Sequence, residues 1–277
     1  MQTIKLNNGV EMPMIGYGTM FDPKKTEEKV LEALETGYRM IDTAAAYRNE
    51  AEVGAAVKKS GIPREKIFIT SKLWPQDFGY KKAKQWIEHT LDIMGLDYLD
   101  LYLIHLPFRD YYGAWKAMEE FYEAGKIRAL GVSNFSPKRM QDFCSKVNVI
   151  PSVNQLEVHP FFQQAETLEA MRKWNITLEA WGPFAEGKKG IFQSEILKSI
   201  GNKYNKSVAQ VILRWQLQRG IVTIPKSLHK ERMKENISIF DFQLSEEDMT
   251  TIATMDTGCG VVGNPNNPLL AFTKVHN

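Results

Sequence analysis

The sequence is poor in cysteine and contains no long hydrophobic run. Only Cys144 and Cys259 occur among its 277 residues, far apart and without metal-ligand spacing, which predicts a reducing compartment, the cytoplasm. No stretch approaches the roughly 18 apolar residues that a membrane span needs. Residues 1–10 also lack the apolar segment of a signal peptide. We therefore expect no membrane association.

The charge is nearly balanced, and no linker rich in Pro, Gly or Ser divides the chain. A formal net charge of +2 gives no reason to expect a nucleic-acid partner. The hydrophobic content of 43% is ordinary for a globular protein and is enough for a large core. These features predict a single domain over residues 1–277 and, without a surplus apolar helix, a monomer.

Short apolar segments alternate with amphipathic stretches of helical length. A hairpin comes first, because Asn7-Asn8-Gly9 separates two short strands. Eight apolar segments follow, at residues 14–18, 39–42, 67–72, 99–105, 127–133, 152–157, 177–181 and 221–225. Helical stretches are predicted at residues 26–36, 50–59, 81–94, 114–124, 137–146, 167–174, 195–204, 207–218 and 230–237, with one more beginning at Ser245.

This alternation predicts the α/β class and, within it, a (β/α)8 TIM barrel. The N-terminal hairpin would plug the amino-terminal end of the barrel, and an extra C-terminal helix and an irregular tail, residues 258–277, would follow it. A doubly wound open sheet is the structural alternative. That fold normally carries a glycine-rich fingerprint after its first strand, whereas Gly16-Tyr17-Gly18 has no third glycine.

Polar residues end most of the apolar segments. His105 follows the most continuous of them, and taken alone it is more often a hydrogen-bonded core residue than a catalytic one. The carboxyl ends of all eight strands of a barrel meet at one face, however, and that face holds the active site. The residues expected there are Asp42, Lys72, His105, Ser133, Asn134, Gln155, Glu157, Trp181, Lys226 and Ser227.

Tyr47, five positions after Asp42, completes a set that could donate a proton. A lone loop tyrosine is usually a surface residue, but a lysine cation beside it favours the phenolate and lowers the tyrosine pKa. Asp42 could hold Lys72 charged, and a neutral His105 could bond the same substrate oxygen. Together these four side chains would protonate an oxygen that develops negative charge.

Here the chain resembles the aldo-keto reductases, most closely the compact prokaryotic members such as the diketogluconate and methylglyoxal reductases. The resemblance runs from the hairpin to about Asp256. Its carriers are Gly16-Tyr17-Gly18-Thr19, Arg39-Met40-Ile41-Asp42-Thr43-Ala44, Tyr47-Arg48-Asn49-Glu50, Ser71-Lys72-Leu73-Trp74, Leu103-Ile104-His105-Leu106-Pro107, Gly131-Val132-Ser133-Asn134-Phe135, Asn154-Gln155, and Ile224-Pro225-Lys226-Ser227 with Arg232, Glu235 and Asn236.

The resemblance implies NADPH-dependent reduction of small aldehydes or ketones. Tyr47 would be the general acid, Lys72 paired with Asp42 would lower its pKa, and His105 would orient the substrate carbonyl. NADPH or NADP+ would be held by Gly18, Thr19, Met20, Asp42, Ser133, Asn134, Gln155, Trp181, Gly182, Pro183, Phe184, Lys226, Ser227, Arg232, Glu235 and Asn236. The substrate site would be formed by Met20, Tyr47, Trp74, His105 and Leu106, with no metal.

The cofactor preference has a physical basis in residues 226–236. We expect Lys226 and Ser227 at the start of the last barrel helix, whose amino end attracts phosphate. Arg232, Glu235 and Asn236 are spaced to share one helix face, and arginine pairs well with phosphate. When the resemblance is set aside, the simpler interpretation of these three residues is an ordinary solvated helix face with an ion pair.

Other functions on the same scaffold remain open at this point. Lys72 could form a Schiff base in an aldolase, or His105 and His159 could belong to a metal hydrolase. We interpret Glu157 and His159 as structural. A regulatory protein that holds NADPH without turning over a substrate is the third alternative, because a fold does not fix a function. The specific substrate is not predicted, since Met20, Leu106 and Gly182 differ from residues common in the family.

Overall fold

Eight parallel strands form a closed barrel in the computed structural model, which describes residues 2–262. Each strand pairs with the next one along the chain. Ile15 bridges Thr223, and the Gly16 amide donates to the Thr223 carbonyl at 2.8 Å, so the first and last strands meet. The predicted barrel is confirmed. Its strands are β3 (Tyr17–Gly18), β4 (Met40–Asp42), β5 (Phe68–Leu73), β6 (Leu101–Ile104), β7 (Leu130–Ser133), β8 (Val153–Glu157), β9 (Thr177–Trp181) and β10 (Val222–Thr223).

The N-terminal hairpin covers the amino-terminal end of the barrel, as expected. Its strands, β1 (Thr3–Lys5) and β2 (Glu11–Pro13), pair antiparallel across a turn that contains Gly9 at φ +88°. Leu6 and Met12 pack against inward-facing side chains such as Met40 and Phe68. This contact buries the bottom layer of the barrel interior, and leaves the opposite end open for function.

Helices follow the strands close to the predicted positions: α1 (Thr26–Glu35), α2 (Glu50–Lys59), α3 (Tyr80–Met94), α4 (Tyr111–Glu123), α5 (Pro137–Cys144), α6 (Ala165–Lys173), α7 (Glu195–Tyr204), α8 (Val208–Gln218), α9 (Lys230–Ile237) and α10 (Glu246–Ala253). Ser136 and Ser245 cap α5 and α10, because each side chain accepts a backbone amide three residues on. Helix α4 begins three residues before the predicted start. Asp110 caps it there by accepting the Gly113 amide at 2.8 Å.

The barrel strands are buried on both faces, which explains their continuous apolar runs. Tyr102 and Ile104 point outward and belong to the same core as Ile87 of α3 and Trp115 of α4. The expected irregular tail is described only as far as Val262, where residues 258–262 contain no helix or strand. Residues 263–277 lie outside the described part.

Gly54 of α2 lies against the backbone at the C-terminal end of α3, which permits a stability prediction. A Cβ atom at Gly54 would lie 2.1 Å from the Met94 carbonyl oxygen, a backbone atom that cannot turn away. We therefore expect Gly54→Ala to lower the free energy of unfolding by about 1–3 kcal/mol, measured as a lower urea midpoint. Ala55→Ser, on the exposed side of the same helix, should change it by less than about 0.5 kcal/mol.

Candidate active site

A cavity of about 1420 Å³ lies at the carboxyl ends of the strands. It gathers residues from every part of the barrel, since the loops after the strands all open on this face. All of the residues predicted for the catalytic centre, the cofactor and the substrate line it, except Lys72, which lies beneath the cavity floor.

Lys72 and Asp42 form an ion pair that is buried from solvent. Lys72 Nζ lies 2.5 Å from Asp42 Oδ1 and donates to the Thr43 carbonyl at 2.9 Å. Burial alone would lower the pKa of Lys72, but Asp42 and Tyr47 outweigh it and the net direction is upward. The lysine is therefore charged at neutral pH and its charge is directed toward the cavity floor.

Tyr47 stands above this pair on a 3-10 turn, Ala45–Tyr47, that follows β4. Lys72 Nζ lies 3.5 Å from the Tyr47 hydroxyl oxygen. The charge and the hydrogen bond of Lys72 do lower the pKa of Tyr47, as expected, but burial has the larger effect and the net shift is upward. Burial raises the pKa of Tyr47 above its ordinary value, and Lys72 offsets only part of that rise. Tyr47 accordingly keeps its proton at neutral pH, as a general acid must.

His105 follows β6 and stands beside Tyr47 as a neutral imidazole. The two rings meet edge to face with centroids 5.9 Å apart, and the Trp74 ring packs on the other side at 5.0 Å. Burial, assisted by the Lys72 charge, holds the pKa of His105 well below its usual range. Its Nδ1 has no hydrogen-bond partner within residues 2–262. A neutral imidazole beside the tyrosine hydroxyl can bond a substrate oxygen without competing for its proton.

Ser133, Asn134 and Gln155 present acceptors to the cavity and have no free hydrogen to donate. Gln155 Nε2 donates to Asp42 and Glu179, at 2.9 and 2.8 Å, and Asn134 Nδ2 donates to the His105 carbonyl and the Ser133 hydroxyl. The Ser133 hydroxyl in turn donates to the Gln155 carbonyl. The remaining oxygen lone pairs fit a ligand that donates, such as the amide NH2 of a nicotinamide.

Trp181 ends β9 and supplies a flat aromatic surface in the same wall. Its indole Nε1 donates to Asn134 Oδ1 at 3.3 Å, which fixes the plane of the ring. Asn134 itself adopts φ +65°, a left-handed conformation that asparagine tolerates better than most residues. Trp74 and Leu106, which also line the cavity, form a small apolar cluster, and Met20 is half-exposed. The cavity lining thus has a polar part and an apolar part.

The cationic end of the cavity differs in one detail from its prediction. Lys226 and Ser227 lie in the loop before α9, which begins only at Lys230. Lys226 pairs with Glu186 at 3.4 Å across the cavity mouth. Arg232 is exposed, and the described residues offer it no hydrogen-bond or ion-pair partner. An unpaired guanidinium at a cavity mouth can bind a phosphate.

Several residues that line or support the cavity are missing from the prediction. Glu186 and Phe192 belong to the segment between β9 and α7, Lys198 belongs to α7, and Val262 belongs to the start of the tail. The length of the segment between β9 and α7 is the one sequence signal that could have indicated Glu186 and Phe192. Glu179 lies within an apolar strand, where nothing in the spacing distinguishes it.

Glu157 and His159, interpreted as structural, are buried and bond to each other at 3.1 Å. The Glu157 carboxylate also accepts the amides of Val261 and Val262, the former at 2.6 Å. These bonds hold residues 261–262 beside the cavity, which Val262 lines. No group of three or more His, Cys, Asp or Glu residues within 2–262 could hold a metal ion. No helix within residues 2–262 is long and apolar enough to span a membrane.

The fold and the site define a barrel protein whose strand ends bring a buried ion pair, a tyrosine and a neutral histidine to one cavity. Residues 12–257 match the aldo/keto reductase family. Glyoxal reductase of Bacillus subtilis (strain 168) is 47% identical over 270 residues, which cover 96% of this chain and 97% of that protein. Methylglyoxal reductase DkgA of Escherichia coli (strain K12) is 40% identical over 266 residues, covering 92% and 94%.

Solved structures show the same similarity. A Bombyx mori aldo-keto reductase in complex with NADP superposes with a TM-score of 0.90 at 33% identity, covering 95% of each chain. The chain therefore belongs to the aldo/keto reductase family and is an oxidoreductase that acts on carbonyl groups.

Proposed function

We propose that this enzyme reduces the carbonyl group of small aldehydes or ketones with NADPH, and that Tyr47 supplies the proton. The observation that carries the proposal is the buried Asp42–Lys72 pair directly beneath a protonated Tyr47 hydroxyl at the cavity floor. The free acceptors of Ser133, Asn134 and Gln155 would hold the nicotinamide amide, and the Trp181 ring would support its plane. When bound, the cofactor supplies the hydride.

The roles of the four central residues follow from their charge states. As the substrate carbonyl oxygen gains negative charge, the Tyr47 hydroxyl donates its proton to it. The Lys72 ammonium stabilises the phenolate that this transfer leaves behind, because it already donates toward the Tyr47 oxygen at 3.5 Å. Asp42 keeps Lys72 charged and oriented, and neutral His105 hydrogen-bonds the carbonyl oxygen and orients it.

Small α-oxoaldehydes are the substrates we propose to test first. Two relatives that cover almost the whole chain carry the names glyoxal reductase and methylglyoxal reductase. Trp74 and Leu106 confine the apolar side of the cavity. The experiment follows NADPH oxidation by absorbance with glyoxal, methylglyoxal, keto acids and sugar-derived ketones. Tight NADPH binding without turnover of any of them would instead support a regulatory protein on this scaffold.

NADPH, rather than NADH, is favoured by the unpaired Arg232 at the cavity mouth. Its guanidinium can form charge-assisted hydrogen bonds with the ribose phosphate that only NADPH carries. We expect Arg232→Ala to raise the Kd of NADPH by about 10- to 100-fold and that of NADH by less than about threefold, measured by quenching of tryptophan fluorescence. Lys230 is a cation on the same helix, but it pairs with Glu35. Lys230→Ala should therefore leave the Kd of NADPH and the Kd of NADH unchanged. Equal losses for the two cofactors would contradict the phosphate role.

We further propose that residues 1–277 act as a single domain and as a monomer in the cytoplasm. Two free cysteines, one of them exposed, suit a reducing compartment. Analytical ultracentrifugation would test the monomer.

A further inference from the structure

Glu179 is a buried carboxyl inside the barrel that the proposed mechanism leaves unused. It lies on β9 in register with Gln155 on β8 and Val222 on β10, with no exposure to solvent. Its Oε2 accepts from Gln155 Nε2 at 2.8 Å. Its Oε1 has no hydrogen-bond partner within residues 2–262. Burying an ionised carboxylate without its own cation is costly, so the group requires a physical explanation.

A continuous set of contacts joins Glu179 to the general acid. The second hydrogen of Gln155 Nε2 is donated to Asp42 Oδ2 at 2.9 Å, while Asp42 Oδ1 binds Lys72. Lys72 in turn reaches the Tyr47 hydroxyl. The Gln155 amide thus lies between two carboxyls, and both of its hydrogens are used to hold them.

The charges around Glu179 decide its protonation state. The charged groups that act on Glu179 are Asp42 on β4 and Lys72 on β5. Of its neighbours on the adjacent strands, Gln155 on β8 is polar but uncharged, and Val222 on β10 is apolar. Burial first, and the Asp42 charge second, raise the pKa of Glu179 to about 8, against the opposing effects of Gln155 and Lys72. The side chain is therefore neutral at pH 7 and ionises under mildly alkaline conditions. Once ionised, it raises the pKa of Tyr47 further.

We propose that Glu179 is a positioning residue of this reductase: through Gln155 it holds the Asp42–Lys72 pair, and when it loses its proton it weakens Tyr47 as an acid. The inference rests on the proposed role of Tyr47 and extends it. A negative charge added near Tyr47 disfavours the phenolate that forms during proton donation. Carbonyl reduction should accordingly slow as the pH rises through the titration of Glu179, and reverse oxidation should not slow in the same way.

The first test compares pH profiles of kcat for reduction between the wild type and Glu179→Gln. A glutamine keeps the shape and the neutral state of the side chain but cannot ionise. We expect the wild-type rate to fall about three- to tenfold between about pH 7 and pH 9, and the variant to lose this fall while KM changes little. At about pH 6.5 the two rates should agree within about twofold.

Glu50→Gln is the matched control for a second buried carboxyl. Burial raises the pKa of Glu50 to about 7, but this residue lies on α2 and accepts a hydrogen bond from Ser71. Because neighbouring residues of a strand point to opposite faces and Lys72 points into the barrel, Ser71 points outward. The control should keep the alkaline fall in rate. If Glu50→Gln removed that fall and Glu179→Gln did not, the assignment to Glu179 would be wrong.

A measurement without turnover completes the test. In protein labelled with carbon-13 at the glutamate carboxyl, we expect one NMR resonance to titrate near pH 8 and to vanish in Glu179→Gln, and another near pH 7 to vanish in Glu50→Gln. Even if a variant fails to fold, a wild-type spectrum in which no glutamate resonance titrates near pH 8 would overturn the inference. A Glu179 resonance that titrates near the ordinary pH of about 4 would overturn the inference. Loss of turnover in Tyr47→Phe together with an unchanged profile in Glu179→Gln would overturn it while leaving the proposed function intact.

Discussion

Replacing Tyr47 with phenylalanine should lower kcat for carbonyl reduction by about 10²- to 10⁴-fold. The change removes only the hydroxyl, which is the proton donor, and a general acid contributes a factor of this size. The ring remains, so its edge-to-face contact with His105 at 5.9 Å is kept and the cavity retains its shape. We therefore expect the Kd of NADPH, measured by tryptophan fluorescence, to change by less than about twofold.

Tyr112→Phe provides the matched control for this variant. Tyr112 also donates its hydroxyl to a neighbour, Asp142 at 2.6 Å, but that contact lies on the exposed surface near α5. Its kcat should equal that of the wild type. A Tyr47→Phe enzyme that kept more than about a tenth of its rate would mean that another group donates the proton, and His105 would be the first to examine.

Much of the fold and of the cavity lining is predictable because each depends on local pattern. Apolar segments ended by a polar residue predict the strands, and the position of those residues predicts that Asp42, His105 and Gln155 meet at one face. In the structure these three side chains line one cavity, and Gln155 Nε2 donates to Asp42 Oδ2 at 2.9 Å. Helix α4 begins earlier than predicted because Asp110 provides a cap that the periodicity of the apolar residues does not indicate.

What could not be predicted depends on burial and on partners brought from distant parts of the chain. The pKa of Tyr47 moves upward because the folded cavity removes water from its hydroxyl, and no spacing in the sequence reports that loss. Glu179 lies in an apolar strand, and only the barrel brings its carboxyl within reach of Asp42 through Gln155. Lys226 pairs with Glu186, forty residues away in sequence, across the cavity mouth.

These contacts suggest a role for Gln155 beyond the cofactor binding proposed for it. Both hydrogens of its amide are committed to carboxyls, so its orientation is fixed and its carbonyl oxygen faces away from them as an acceptor. A single side chain therefore joins the wall proposed to hold the cofactor to the ion pair beneath Tyr47. A change at Gln155 should alter both cofactor affinity and the acidity of Tyr47, whereas a change at Arg232 should alter only the first.

Replacing Lys72 in the Asp42–Lys72 ion pair should have the second large effect, on both the stability of the fold and the rate of reduction. Lys72→Met leaves the Asp42 carboxylate buried without its cation, and we expect this to lower the free energy of unfolding by about 3–5 kcal/mol. Reduction should fall by about 10²- to 10³-fold, because the charge that stabilises the Tyr47 phenolate is gone. Urea unfolding and steady-state kinetics measure the two effects separately.

The double variant Asp42→Asn/Lys72→Met separates the structural contribution of the pair from its catalytic one. An asparagine carries no charge, so the double variant should regain at least half of the lost stability, since the cost of an unpaired buried charge is removed. Its rate should stay as low as that of Lys72→Met, because the cation beneath Tyr47 is still absent. Recovery of rate together with stability would show that the pair serves only to hold the fold, and Tyr47 would then donate its proton without assistance from Lys72.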